Sequence, residues 1–447
     1  MSLDVNFARA LMADSLAFHI IFALFGVGLP LVFLVFEFIG LRRKDSILIK
    51  HAKYISQVSV ILVIAGVASG TIISIQMSLM WGNLIKFGGP IMGLAFGWEG
   101  YAFMLEAVFL AFYMTTWGKV KGWKHWLIGL PVLLGSLGSA ITITLGNAWM
   151  QNPGNLDVVN GQVVSNNPLG SLLTKTAFFM TSHSVMGYYL ATVLCVLGFY
   201  SYYLLKNKSK NKDIKAVKAI MLYLSAISLI LIAITAILGH LQTQYLAHSQ
   251  PRKFSVIESV QQTTTNAPYI IGGRFNSEGK VEGGIRIPNG LSLLTGNNPN
   301  TEVKGLNEFP KETWPMLFLN ILFEIKMLLV VIITIFPLIF VVLHNKKLNK
   351  NMRGKRYKKP MLVALMPLGS LAVVVVILGW MVAEFGRQPF AVNGYLLTSQ
   401  AFSATENIQH WGYLFPMLYL FLFLITGKAL LKLFKSISQA QISKDLM

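Results

Sequence analysis

Residues 368–390 read LGSLAVVVVILGWMVAEFGRQPF, an apolar run that suits lipid and then delivers Glu384, Arg387 and Gln388. Ionisable groups at membrane depth are costly and collect where a protein has work to do. Trp380, Glu384 and Arg387 are spaced four and three apart, so on a helix they share one face. Two readings stay open for them. Glu384 can bind a metal while Arg387 pairs with a nearby carboxylate, or Arg387 can reach for the interface with Glu384 as its partner.

The rest of the chain supplies the context. Of its 447 residues 54% are hydrophobic and only 13% charged, which marks an all-α polytopic membrane protein. Stretches of about 20 apolar residues, long enough to cross a bilayer, occur at 16–40, 55–81, 92–116, 126–149, 173–205, 217–245, 315–343, 360–384 and 411–435. Nine transmembrane helices are therefore expected, in one integral-membrane domain over 1–447. The N-terminus MSLDVNFARALMADS lacks a basic start and a small-residue cleavage pattern, so the first helix is expected to stay as an anchor.

The formal net charge is +20, but it is distributed as topology. LRRKDSILIKHAK, GKVKGWK, KNKSKNKDIKAVK, HNKKLNKNMRGKRYKK and the tail from Lys428 hold 26 of the 38 Lys and Arg. The short segments at the other ends hold Arg9, Lys86, Lys175 and Arg387. The positive-inside rule then puts the N-terminus outside and the C-terminus in the cytoplasm. A basic balance of this kind answers to lipid surface and not to nucleic acid. The single Cys195 lies within the fifth span and is expected to be a small packing residue.

One connection is long. Residues 246–314 are polar, rich in Gly, Asn, Thr and Pro, and fall on the outer side. HSQPRKFSVIESVQQTTTNAP offers Phe254, Val256 and Ile257 to one short amphipathic helix, and GGIRIPNGLSLLTGNNP is expected to be irregular.

With orientation assigned, the buried ionisable residues gather at one depth. His19, Glu99, Glu106, His183, His240 and Glu384 all lie toward the outer ends of their spans. His183 is roughly 12 Å below the start of its span at about 1.5 Å per residue. Glu99 and Glu106 are seven apart, two helical turns, and project from one face, which suits a proton relay, cation coordination or a hydrogen-bonded helix contact. Imidazole is a common haem ligand, and a bundle with 29 Phe and 9 Trp can line flat apolar pockets. The same histidines can equally be satisfied bundle residues.

At this point the residues resemble a family. GWMVAEFGRQPF is similar to the GWxxxExGRQPW motif of subunit I of the cytochrome bd-type quinol oxidases, with Phe390 in place of the final Trp. The resemblance extends over essentially the whole chain, through the early histidine, WEGYAFMLE in the third span, GNAWMQNP after the fourth, and the long outer loop. It implies three haems: a low-spin haem b on His183, a high-spin haem b on Glu384, and a haem d, or a third b haem, with His19 beside Glu99. Glu106 would serve proton delivery, Trp380 would stand among the haems, Arg387 near propionates, and Arg9 and Asn147 at polar family positions. QPRKFSVIE resembles the quinol-oxidising segment, making Lys253 and Glu258 the quinol contacts. Membrane quinol, dioxygen and a second large membrane subunit are the implied partners, and a small single-span subunit is compatible with the resemblance. The implied place is a prokaryotic plasma membrane.

Two departures stand out. The low-spin haem of the family has a methionine as its second ligand in span seven, where this chain reads FEIKM. Without a gap Lys326 takes the methionine place, and Met327 follows, rotated by about 100° on a helix. Met327 is the expected ligand, because a thioether binds iron without losing a proton. After the quinol glutamate the chain continues VQQTTT, which leaves the quinone type open. The expected function is oxidation of quinol at the outer face and reduction of dioxygen to water, with charge separated and no pump. A b-haem protein that only transfers electrons is the nearest alternative. A haem-free ion transporter is more distant, since no internal repeat is visible and the polar residues lie off-centre.

Overall fold

The computed structural model describes residues 3–206, 212–344, 359–404 and 408–445. Among these, nine helices are long and apolar enough to cross a membrane: Asp4–Arg43, Ser46–Met80, Gly82–Thr115, Trp123–Gln151, Lys175–Lys206, Ala216–Ser249, Leu319–His344, Lys359–Arg387 and Ile408–Ser436. They are called spans one to nine below. Each expected apolar stretch has its helix, and several helices run past the apolar segment into polar sequence. The extension follows from backbone chemistry, since each further helical turn satisfies amide groups that would otherwise need other partners.

Span three departs from expectation in both start and shape. It starts at Gly82 and not at 92, and it bends at Gly89, whose φ of +47° and ψ of −129° lie outside helical space. Glycine tolerates that backbone, and Pro90 follows it with no amide hydrogen to give. Span eight is also interrupted, with helix over Lys359–Leu365 and again over Leu368–Arg387, and Pro367 between the pieces.

Close helix contacts are made through small residues, as lipid offers little hydrophobic drive for helix association. A β-carbon on Gly28 would stand 1.9 Å from Thr192 Oγ1, which brings span one against span five. One on Gly369 would stand 2.4 Å from Cys195 Cα, so Cys195 is the surface on which span eight packs. The main apolar cluster, with Leu24, Phe33, Leu194, Leu197 and Phe340 fully buried, joins spans one, five and seven.

The long connection is ordered into short pieces. Phe254, Val256 and Ile257 are buried on a helix at Pro251–Ile257, as their pattern suggested. The segment expected to be irregular instead contributes a strand, Ile285–Ile287, paired antiparallel with Tyr269–Ile271, and a helix at Gly290–Gly296. Val256 and Ile257 pack in one cluster with Leu306, Leu319 and Val382, which fastens the connection to spans seven and eight.

Candidate functional site at the loop end of the bundle

Glu384 sits one turn from the end of span eight, and both its oxygens are held. Asn147 of span four donates to Oε1, and an Arg387 nitrogen donates to Oε2 at 2.5 Å. Arg387 also donates to the Ala391 carbonyl beyond the helix end, and it is 8% exposed. The carboxylate is thus fixed in direction by a neutral amide on one side and a guanidinium on the other.

Lys253 enters this cluster from the loop helix. Its ammonium donates to Gln151 Oε1 and to the Ala383 carbonyl, each at 3.1 Å. Its chain passes over Gly386, where a β-carbon would come within 2.5 Å of Lys253 Cε. Burial pushes the Lys253 amine down to about 7, with Glu384 opposing that shift and Arg387 adding to it. The neighbouring Arg252 donates to Asn393 Oδ1 at 2.7 Å and lies over the Phe390 ring at 4.9 Å. The Phe390 that replaces the family's tryptophan therefore keeps an aromatic face for a cation.

Glu258 ends the same loop helix and is 7% exposed. Burial raises its carboxyl to about 7, Glu324 raises it further, and Lys326 opposes. Beside it Asn320 donates to Ser259 Oγ at 3.0 Å and to the Gly273 carbonyl at 2.5 Å, and Glu324 accepts from the Gly272 amide at 2.8 Å. Lys253 and Glu258 thus face different clusters, one at Glu384 and the other at Lys326.

His183 lies in span five with a buried Nδ1 that has no hydrogen-bond partner. A β-carbon on Gly239 of span six would stand 3.1 Å from its Cε1, so the imidazole occupies a place kept open by glycine. Trp380 donates to the Tyr188 hydroxyl at 2.9 Å and ties span eight to span five above the same region. Lys326 faces inward, within electrostatic range of His183 and Glu258, whereas Met327 is 40% exposed on the outer surface of span seven. Met327 points about 100° away from Lys326 on span seven, toward its exposed side.

His19 hydrogen-bonds through Nδ1 to Ser69 Oγ at 2.8 Å, and its ring lies against Gly70, where a β-carbon would be 3.2 Å from Cε1. Glu106 is 4% exposed, with Oε1 lacking a hydrogen-bond partner. It is wedged between Gly26 of span one and Gly135 of span four. Glu99, two turns away, is half-buried, and Arg9 at the start of span one is half-buried beside Asn6. His240 is exposed.

These donors fit haem. A buried imidazole with an unpaired Nδ1 and a glycine-backed ring is a haem-ligand type, a carboxylate held between Asn147 and Arg387 is an oxygen donor for a metal, and a guanidinium suits a propionate. Gln151, Arg252, Glu324 and Tyr188 are contributors that sequence reading did not single out. Gln151 carried the same signal as Glu384, a polar side chain at the end of an apolar helix.

The fold and this site define a multi-pass membrane protein with buried histidine, carboxylate and basic side chains inside its helical bundle. A profile of the family described as cytochrome bd terminal oxidase subunit I matches residues 7–438. The chain belongs to that family, and so to the multi-pass membrane proteins of the bacterial bd oxidases. It is 31% identical over 427 residues to a protein of Bacillus subtilis (strain 168) provisionally described as a cytochrome bd menaquinol oxidase subunit I, covering 95% of this chain and 94% of that one. A cytochrome bd ubiquinol oxidase subunit 1 of the same organism is 25% identical over 96% of this chain and 92% of its own length. The structure of bd oxidase from Geobacillus thermodenitrificans superposes with a TM-score of 0.89 at 28% identity, covering 97% of this chain and 98% of that one.

Proposed function

We propose that this chain is the haem-binding subunit of a quinol:oxygen oxidoreductase that oxidises membrane quinol at the loop end of the bundle and reduces dioxygen to water. The observation that carries the reading is the reach of Lys253, from the loop helix, across Gly386 into the cluster that holds Glu384. A quinol bound at the loop is thereby joined to a candidate metal ligand by one side chain.

In this reading the loop end faces outside and the C-terminus lies in the cytoplasm. Lys253 and Glu258 bind the quinol hydroxyls, and Glu258, with its carboxyl near 7, takes a quinol proton and passes it to the outer side. Low-spin haem b held by His183, high-spin haem b held by Glu384, and haem d or a third b haem near His19 would supply electron transfer and oxygen chemistry. Arg387 and Asn147 orient Glu384 and leave the guanidinium available to propionates. Glu106 and Glu99, on one face of span three, carry protons from the cytoplasmic side to the oxygen site for water formation. Protons leave on one side and are drawn from the other, so charge is separated by the position of the site without a pump. A second large membrane subunit completes the complex, and a small single-span subunit is compatible with it.

The test is oxygen uptake by the purified complex with reduced quinone, together with haem extraction. The reading expects quinol-dependent uptake and both b-type and d-type, or only b-type, haem. A complex that holds haem yet consumes no oxygen favours the electron-transfer alternative. A complex without haem overturns the reading.

A further inference from the structure

We propose that the amine of Lys326, and not the thioether of Met327, is the second axial ligand opposite His183. The inference rests on the reading that His183 holds a haem. Four observations on separate elements support it. First, the side chains of span seven divide at this point, with Met327 40% exposed on the outer surface and Lys326 turned into the bundle. Second, the Lys326 chain lies against Gly379, where a β-carbon would be 3.9 Å from Lys326 Cε. The two glycines, Gly239 behind His183 and Gly379 beside Lys326, keep the space around the two nitrogen donors free of side chains.

Third, among the described residues Lys326 forms no ion pair, although Glu258 lies within electrostatic range. Among the described residues the ion pairs are His125–Glu37, Lys280–Glu278 and Arg387–Glu384. Its amine is within electrostatic range of His183, with the Phe323 ring 5.4 Å away. An amine on a membrane helix without a salt bridge is costly as a cation, and ligation removes the cost. Fourth, His183 Nδ1 is buried without a partner, so the imidazole retains coordinating capacity on its side. On binding iron the ammonium releases one proton and its nitrogen donates the freed lone pair, as ligands do when they exchange protons for metal.

Two nitrogen ligands differ from a nitrogen and a thioether in ways that do not depend on turnover. A thioether raises the reduction potential of a low-spin haem, and a saturated amine does not. The near-infrared charge-transfer band of the ferric state lies at higher energy with two nitrogens. The experiment uses the whole purified complex, with magnetic circular dichroism and redox titration of wild type, Lys326→Met, Lys326→Leu and Met327→Leu. Wild type should show the band of two nitrogen ligands. Lys326→Met should shift it to lower energy and raise the low-spin potential. Lys326→Leu should convert that haem to high spin, and Met327→Leu should leave it unchanged. Lys326→Met keeps a ligand in place, so a Lys326→Leu protein that fails to assemble does not hide the answer.

A thioether band in wild type, or a low-spin spectrum that survives Lys326→Leu and is lost in Met327→Leu, would overturn the inference while the oxidase reading stands. A low-spin spectrum untouched by either leucine variant would make Lys326 a partner of Glu258 and also overturn it. Extraction that finds the same haem content in wild type and His183→Ala overturns the haem assignment beneath both.

Discussion

Lys253 rests on Gly386: a β-carbon on that glycine would meet its Cε at 2.5 Å and its Cδ and Cγ at 2.8 Å. The glycine of the GRQPF segment is thus the floor over which the loop lysine reaches Gln151 and the Ala383 carbonyl. Gly386→Ala should push the lysine aside while span eight stays folded, at a cost of about 1–3 kcal/mol for the added methyl. If half of that falls on quinol oxidation, the rate drops about twofold to thirteenfold. Steady-state kinetics should place the loss with quinol, as in Lys253→Ala. Oxygen uptake at wild-type efficiency in Gly386→Ala would detach Lys253 from the quinol site.

The two loop residues give a pH dependence whose sign can be worked out. Glu258 is raised from 4.5 to about 7, so as pH falls through 7 it gains a proton and can no longer accept one. Lys253 is lowered from 10.5 to about 7, so as pH rises through 7 it loses its charge. Quinol oxidation should fall on both sides of neutrality. Glu258→Gln should remove the acid limb and slow the reaction by about 10²–10⁴, the usual worth of a positioned base. An acid limb that persists in Glu258→Gln would assign it to another group.

Much of this was legible because a bilayer imposes coarse rules. Apolar runs of spanning length announce the helices, and a carboxylate and guanidinium at the end of one announce a cluster, which is how Glu384 and Arg387 stood out. What stayed hidden depends on lateral packing. Lys326 and Met327 are neighbours in an apolar helix, and sequence does not say which of two directions faces the bundle. Chemistry favoured the thioether, while Gly379 and the loop leave the inward place to the lysine. The strands of the long connection were missed because pieces of two or three residues carry no periodicity. Tertiary contact through Val256 and Ile257 orders that connection.

Asn147 offers a sharper probe of Glu384 than removal of the carboxylate itself. The amide holds one oxygen and Arg387 the other. Asn147→Leu should leave Glu384 free to swing toward Arg387, losing a hydrogen bond to a charged group worth about 1.5–3 kcal/mol. The expected result is a lower ratio of high-spin haem to protein, with the haem assigned to His183 retained. Haem extraction and reduced-minus-oxidised spectra report both. Equal loss of the two haems would mean that Asn147 supports the bundle and not the ligand.

A second polar cluster, remote from the loop, supports stability. Glu37 of span one accepts from the Tyr113 hydroxyl at 2.6 Å and pairs with His125 Nδ1 at 2.6 Å, and all three side chains are almost fully buried. His125 Nε2 lies 3.1 Å from the Tyr113 carbonyl, and Trp117 packs on the imidazole with ring centroids 4.2 Å apart. Spans one, three and four are thereby tied through one carboxylate. Removing one partner of a buried pair leaves the other without compensation and costs about 3–5 kcal/mol, whereas replacing both with apolar groups costs far less. His125→Leu should therefore lower the thermal midpoint in detergent sharply. Glu37→Leu with His125→Leu should recover part of the loss, the Tyr113 hydroxyl being left without its acceptor, and oxygen uptake per haem should change in neither. A double variant as unstable as the two single losses added together would show that the residues act independently, and the tie between these spans would then rest on apolar packing around Tyr113.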